Sequence, residues 1–534
     1  MNSKSTHVKE LFISKLYHLM KKNRSSKVKK IAVIVLIALI LWILWQFYEF
    51  TMLVFSRQNR TYLLRTLLQS AEGVWVFYLF VQLFSQPKKT FEKNMLLSLW
   101  LLFGLWYCVQ LPLGFASRDP LIFSSPNLLF FQKTLPFLSS FTQYMLLLWG
   151  LLGLITLGFY RAKKRWADVD EVFLPALFFL IYQGVYFLAR LGPDRLQAQK
   201  TSFNQVVYLL LGVLAGTLLF HPKIRKRAIQ ILDYPYLCLI ASVLLLAGTF
   251  FFGTAVSGGR KLWYKLGPLT VQPIEGAKIL FIFVLAVFLQ KHVLTLQKRD
   301  LKANLLTLCI ICSLLFSVLM LQRDLGPLLV LLAVTLIMFL TVSGRWALFS
   351  GAVVMTALGV LISFFSRFPS MVYHRIMDFW DPLHYSGQLT KGLWAQASGG
   401  LWGTTPGMSQ AYKIPVIESD YLFSLIVAEK GLLGTALFLV VFFVFCFRGF
   451  QTSRFLMPAS RRDATVILGI FLLFVVQGAL IMGGNMAFLP LSGLTLPFVS
   501  AGGSSLVINL LAFCFTLALV TSRVRKVAPT GDQP

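Results

Sequence analysis

The chain has 534 residues, 57% hydrophobic and 13% charged, against roughly a quarter charged in soluble domains, which excludes an ordinary water-soluble fold and points to a bilayer. Lys and Arg number 50 against 20 Asp and Glu, a formal net charge of +30, yet the basic residues sit in short links between apolar runs with no aromatic-interleaved basic domain, so nucleic acid is excluded as a partner and the charge reports topology. All six cysteines (Cys108, Cys238, Cys309, Cys312, Cys446, Cys514) lie inside apolar runs, which excludes a disulfide scaffold and an outer-face zinc site.

Residues 1–30 are basic and precede an apolar run without a small-residue cleavage site, so the run reads as a retained first helix. Candidate spans then follow at 31–55, 67–84, 95–115, 137–160, 172–191, 203–220, 234–252, 274–289, 304–321, 328–342, 347–365, 421–447, 465–482 and 504–520. About 20 residues at 1.5 Å rise cross a hydrocarbon core of about 30 Å. The expected fold class is therefore an all-α polytopic membrane protein of about fourteen transmembrane helices. Links after alternate helices are basic, from Lys88 and Lys89 to Arg523, Arg525 and Lys526, which puts both termini in the cytoplasm. Arg57, Arg60 and Arg65, after the first helix, dissent and are outvoted. The predicted organisation is a basic cytoplasmic N-terminus (1–30), a four-helix membrane extension (31–165), a ten-helix core (166–525) and a cytoplasmic tail (526–534).

The opposite links, expected at the outer face, carry most of the unusual chemistry. The first holds Arg260, Lys261 and Trp263, then Gln272-Pro273-Ile274-Glu275 and Lys278. Glu275 and Lys278 stand i, i+3 on the helix that begins there and can pair, either as mutual neutralisation at the interface or as a functional pair. The second is Gln322-Arg323-Asp324-Leu325-Gly326-Pro327, a tight turn whose Asp can cap the next helix. The long loop 366–420 far exceeds an ordinary connection of about 4–6 residues. Its Phe379, Trp380, Trp394 and Trp402 with paired glycines predict a folded loop lying against the membrane. It closes on Lys413, then Glu418-Ser419-Asp420-Tyr421, where Ser419 or Asp420 would cap the following helix. The last outer segment, 489–505, interrupts the apolar pattern with two prolines, three glycines and several serines. Non-helical backbone at that depth requires cover by protein or a watery cavity, so it is predicted to line one.

The order of these segments resembles the SEDS family (shape, elongation, division and sporulation; RodA-, FtsW- and SpoVE-like proteins). Trp263 with Gln272-Pro273-x-Glu275 and Lys278 is similar to RW…QPSE..K, Asp324-Leu325-Gly326 to PDLG, and Arg375-Ile376 with Asp381-Pro382 to RI…DP. Gln396 to Gly400 and Gly403 are similar to AIGSGGLFGKG, Pro415 to Phe423 to PEAHTDFIF, and Leu496 to Ser505 to LPFVSYGGSS. The likeness runs over about 172–525, including a weaker match at Phe203-Asn204-Gln205. Departures mark a divergent member: Glu418 replaces the His two residues before the essential aspartate, Arg323 the Pro of PDLG, Ile274 the Ser of QPSE and Ala501 the Tyr before the twin glycines.

The resemblance implies a ten-helix core, with 366–420 as its large extracellular loop, and an inverting peptidoglycan glycosyltransferase that polymerises lipid II for cell shape, division or sporulation in the bacterial cell membrane. It puts the catalytic base at Asp420. Substrate-binding candidates are Arg260, Lys261, Trp263, Glu275, Lys278, Arg323, Asp324, Arg375, Lys413, Glu418, Ser500, Gly502, Gly503, Ser504 and Ser505, of which Arg260, Lys261, Arg323, Arg375 and Lys413 could hold a diphosphate. Membrane lipid, lipid II and a class B penicillin-binding protein are the implied partners. A divalent cation, magnesium or manganese, could assist, although no ligand cluster demands one. A flippase of a lipid-linked precursor and a non-catalytic scaffold are the rival readings. The gathering of Glu275, Asp324, Glu418 and Asp420 at one face, rather than at mid-bilayer, weighs against the first.

Overall fold

A computed structural model of the protein describes residues 60–82, 91–105, 141–166, 171–191, 196–256, 260–266, 269–293, 301–366, 370–404 and 409–527. The chain divides into two compact units, Met1–Ser85 and Gln86–Pro534. The described part of the first is one helix, α1 (Arg60–Gln82). The expected span 31–55 lies outside the described residues.

The second unit is a helical membrane body. Its helices are α2 (Phe91–Leu105), α3 (Phe141–Trp166), α4 (Phe173–Arg190), α5 (Leu196–Leu218), α6 (Pro222–Gln230), α7 (Pro235–Phe252), α8 (Pro273–Phe288), α9 (Leu301–Leu321), α10 (Leu325–Ser343) and α11 (Trp346–Ser366). There follow α12 (Ser370–Trp380), α13 (Pro382–Tyr385), α14 (Gly387–Gly399), α15 (Leu422–Leu456), α16 (Arg461–Asn485) and α17 (Gly503–Val527). Among the described residues nine helices are long and apolar enough to cross a membrane, and three shorter apolar helices accompany them. Proline at the first turn starts α6, α7 and α8, where its missing N–H costs nothing. Gly344, in the left-handed region at φ 64°, ends α10.

Helix α4 is the centre of the core, and every one of its residues is buried. Phe173 at its start meets Phe445, Phe471 and Phe513, with ring centroids 5.6–6.1 Å away. Its opposite side takes the extension: the Thr156 hydroxyl of α3 and the Tyr182 hydroxyl of α4 share a 2.8 Å hydrogen bond. Within the extension, Trp100 of α2 and Trp149 of α3 stack at 4.4 Å, and each indole N–H donates to the other's carbonyl. A buried Lys163–Glu92 ion pair at 2.6 Å ties the same two helices, so their polar groups satisfy one another away from lipid.

Two expectations, the link 253–273 and the span 421–447, are corrected, and the long loop is folded as expected. The link 253–273 folds as a three-stranded antiparallel sheet, β1 (Thr254–Val256), β2 (Arg260–Leu266) and β3 (Leu269–Val271), with Thr254 opposite Trp263 and Tyr264 opposite Val271. The long loop carries α12, α13, α14 and a 3₁₀ turn at Gln410–Lys413. The span expected at 421–447 is longer, Leu422–Leu456, and broken at Gly431, whose φ of 66° and ψ of −174° no helix allows. The break frees backbone groups, and the loop satisfies them: Thr404 N–H donates to the Ala428 carbonyl at 2.8 Å, while Leu432 and Leu433 N–H donate to Gly400 and Leu401 carbonyls. A Cβ on Gly431 would lie 2.2 Å from the Gly403 nitrogen, so only glycine lets the two backbones approach.

Candidate active site

A cavity of about 720 Å³ opens where the sheet, the α9–α10 turn, α11, α12, the end of the long loop and segment 490–501 converge. One part is polar, with Gln272, Glu275, Arg323, Asp324, Arg375, Ser419, Asp420, Ser492 and Thr495. The rest is an apolar channel between α10 (Leu325, Leu328, Leu329, Leu332) and α11 (Gly359, Val360). Helix α11 is mostly exposed along its length, so this side of the channel is only thinly walled.

Asp420 ends the long loop one residue before Tyr421, the residue that precedes α15. It does not cap that helix, since no side-chain cap bond is made there; its Oδ1 accepts the Ser419 hydroxyl at 2.8 Å instead, and the residue lines the cavity. Arg375 comes from α12 and donates from Nη1 to the Leu491 carbonyl at 2.7 Å. Gly493, whose φ of 67° favours glycine, lies beside both: a Cβ there would be in ordinary contact, 3.5 Å from Arg375 Nη2 and 3.7 Å from Asp420 Oδ2. Burial pushes the Asp420 carboxyl above its ordinary range, while the Ser419 hydrogen bond and the Arg375 charge pull it partly back. At the α9–α10 turn, Arg323 holds a left-handed φ of 56°, and Asp324 precedes α10 without a side-chain cap bond.

A polar network runs from the cavity wall into the helices behind it. Lys278 and Glu275 are buried and paired at 2.9 Å. Lys278 Nζ also donates to Gln477 Oε1 at 2.9 Å, and Gln477 Nε2 donates to the Thr495 carbonyl at 2.7 Å. The Ser505 hydroxyl donates to Glu275 Oε2 at 3.2 Å, and Ser504 Oγ accepts the Gln272 N–H. Helices α8, α16 and α17 and the irregular 489–502 segment are thereby locked together, as polar groups inside a membrane body require.

The structure thus brings Trp263, Glu275, Arg323, Asp324, Arg375 and Asp420 to one cavity, with Lys278, Ser504 and Ser505 behind them. It does not bring the others. Lys261 points to the Phe250 carbonyl, and Lys413 is exposed against Gln410 and Tyr412. Arg260 opens β2, and its side chain lies outside the described residues. Glu418 contributes its carbonyl, which accepts the Ala501 N–H at 2.9 Å. Ser500 and Gly502 form a turn clamped by the Gln205 amide, and Gly503 packs so close to Tyr208 that a Cβ would sit 2.2 Å from the ring. Ser492 lies in the segment expected to line a cavity but is not among the expected binding residues; its buried hydroxyl has no hydrogen-bond partner among the described residues. Sequence reasoning missed Gln477 and Asn485. Only position could have marked them, each a polar residue in an otherwise apolar helix.

Comparisons with known proteins bear on the same region. A family model described as cell cycle protein, for FtsW, RodA and SpoVE, matches residues 171–525. The peptidoglycan glycosyltransferase RodA of Mycobacterium leprae is 30% identical over 422 residues, 73% of this chain and 85% of that protein. A probable peptidoglycan glycosyltransferase FtsW of Halothiobacillus neapolitanus is 26% identical over 389 residues, 70% of this chain and 92% of that protein. Among solved structures, the rod shape determining protein RodA of Thermus thermophilus is similar at a TM-score of 0.50 and 25% identity, covering 67% of this chain and 99% of that one. A chain of a peptidoglycan synthase complex that coordinates polymerization and crosslinking is similar in fold, at a TM-score of 0.56 and 24% identity with the same coverage.

Proposed function

Because the chain belongs to the FtsW, RodA and SpoVE family, which takes in residues 171–525, we propose that it polymerises lipid II into glycan strands at the outer face of the bacterial cytoplasmic membrane. It is a multi-pass membrane protein and a glycosyltransferase. One observation carries the substrate reading: a half-buried carboxylate and two guanidiniums stand at the head of an apolar channel between α10 and α11. A sugar diphosphate on a long hydrocarbon tail has the same division of polar and apolar parts.

Sidedness follows from charge. Helix α16 runs from Arg462 and Asp463, which pair with Asp233 and Arg523, to Asn485 beside the cavity. The positive-inside rule gives the basic end to the cytoplasm and the cavity to the outer face. In the chemical step, Asp420 takes the proton of the acceptor sugar hydroxyl as that oxygen bonds to the anomeric carbon of the donor. The bond from that carbon to the diphosphate breaks, and the electron pair leaves on the diphosphate. Arg323, where the channel meets the polar end, stabilises the departing charge; Arg375 is tied to Leu491 and holds the base. Attack opposite the leaving group inverts the sugar carbon. Among the described residues no three His, Cys, Asp or Glu side chains gather as a metal-holding group, so a divalent cation that assists would be held by one or two of the lining carboxylates Asp420, Asp324 and Glu275 together with the donor's own phosphate oxygens. A class B penicillin-binding protein, docking on outward apolar helix faces, is the proposed partner.

Gel analysis of glycan made from lipid II by the purified chain, alone and with that partner, tests the reading. Asp420→Ala is expected to abolish product. Full polymerisation by that variant sinks the base assignment, and transbilayer movement of lipid II without polymer would favour the flippase.

A further inference from the structure

Asn485 ends α16 fully buried, and its hydrogen bonds have one consistent direction. Its Nδ2 donates to the Asp420 carbonyl at 2.8 Å and to the Ile481 carbonyl at 2.9 Å. Its Oδ1 accepts the Ser424 hydroxyl at 2.8 Å. A flipped amide would set its oxygen against two carbonyl oxygens, so the orientation is fixed. The relay begins on the long loop: Gln396 of α14 donates from Nε2 to Ser424 Oγ at 3.0 Å and to the Asn485 carbonyl at 2.7 Å. Successive donors therefore run from Gln396 to Ser424, from Ser424 to Asn485 and from Asn485 to the backbone of Asp420, each polarising the next.

We propose that Asn485 is a positioning residue for Asp420, and that through it the loop helix α14 sets where the base stands in the cavity. The proposal rests on Asp420 as general base. Among the described residues the other backbone tie of Asp420 is a 3.2 Å bond from its N–H to the carbonyl of Val416, a residue itself held at φ 55°. Without the Asn485 donor, a buried carbonyl loses its partner and the Asp420 backbone is free to turn. The lining of the cavity for substrate is untouched, because neither Asn485, Ser424 nor Gln396 is part of it. A displacement of about 1 Å in a reacting group lowers turnover about 100-fold.

The test is steady-state polymerisation of lipid II by the full chain, with and without a class B penicillin-binding protein, for Asn485→Leu, Gln396→Met and their double variant. Expected are a kcat lowered about 10- to 100-fold by Asn485→Leu at unchanged KM, a smaller loss for Gln396→Met, and no further loss in the double variant, since both act along one relay. A kcat within twofold of the parent for both single variants, or losses that simply multiply, overturns the proposal. So does a rise in KM with kcat unchanged. If Asn485→Leu does not fold, Gln396→Met and Ser424→Ala decide: lowered kcat in both supports the relay, parental kcat in both ends it. Asp420→Ala separates the two levels. If it polymerises normally, the base assignment fails; if it is inactive while the relay variants are fully active, only the positioning role fails.

Discussion

Burial raises the proton affinity of Asp420, and Ser419 and Arg375 lower it again. A general base works ionised, so polymerisation should be lost as pH falls through a value above the ordinary 3.8 of a free Asp carboxyl. Arg375→Gln removes a charge that favours the carboxylate and should move that acidic limb to still higher pH, read from the pH profile of kcat. Stability carries the opposite sign: the folded state holds this proton more tightly than the unfolded chain, so ionising Asp420 costs stability as pH rises from the ordinary value through the folded one. Asp420→Asn should therefore unfold at a higher temperature than the parent at neutral pH while making no glycan. The buried Glu275–Lys278 pair gives a second prediction. Lys278→Met strands the Glu275 carboxylate in the cavity wall and should cost about 3–5 kcal/mol, seen as a fall in unfolding temperature in detergent. That pair was legible in the sequence because its spacing is local. Asn485 and Gln477 were not, since a lone polar residue in an apolar run does not disclose which neighbour it will face. Lys261 and Lys413 looked like cavity cations by proximity along the chain, but their side chains turn to the surface.

The membrane helices were largely legible, because hydropathy and length decide them. What escaped is what depends on a distant segment. The break at Gly431 lies inside an apolar run, and its cause is the approach of Gly403. The sheet of β1 to β3 escaped for another reason: two of its strands have only 3 residues each, too few for a clear alternation. Gly431→Ala puts an L-residue at φ 66° and ψ −174°, an essentially glycine-only region, costing about 1–3 kcal/mol before any clash. It also drives a methyl into the loop backbone. The expected result is faster proteolysis of the loop around 399–404 and a loss of polymerisation; a variant with parental protease resistance would mean that the loop is anchored elsewhere.

At the scale of the whole molecule, every residue that lines the cavity lies at or beyond Leu262, whereas α2 and α3 pack on α4. A chain starting at residue 166 should keep its cavity and its polymerisation but unfold at a lower temperature, because α4 loses its partners at Tyr182 and the aromatic contacts beside it. Loss of polymerisation by a truncated chain that remains folded would give the extension a part in the chemistry. The interlock of α15 with the loop also bears on how the protein is made. As α15 enters the bilayer, the carbonyl of Ala428 and the N–H groups of Leu432 and Leu433, at the break, depend on partners in the loop, and hydrocarbon penalises an unsatisfied group of this kind by several kcal/mol. The segment that relieves them is synthesised earlier and, on the sidedness proposed above, waits on the outer side of the membrane. On that sidedness, insertion of this helix is finished from outside, and a nascent chain whose loop fails to return would leave those backbone groups unsatisfied in the bilayer.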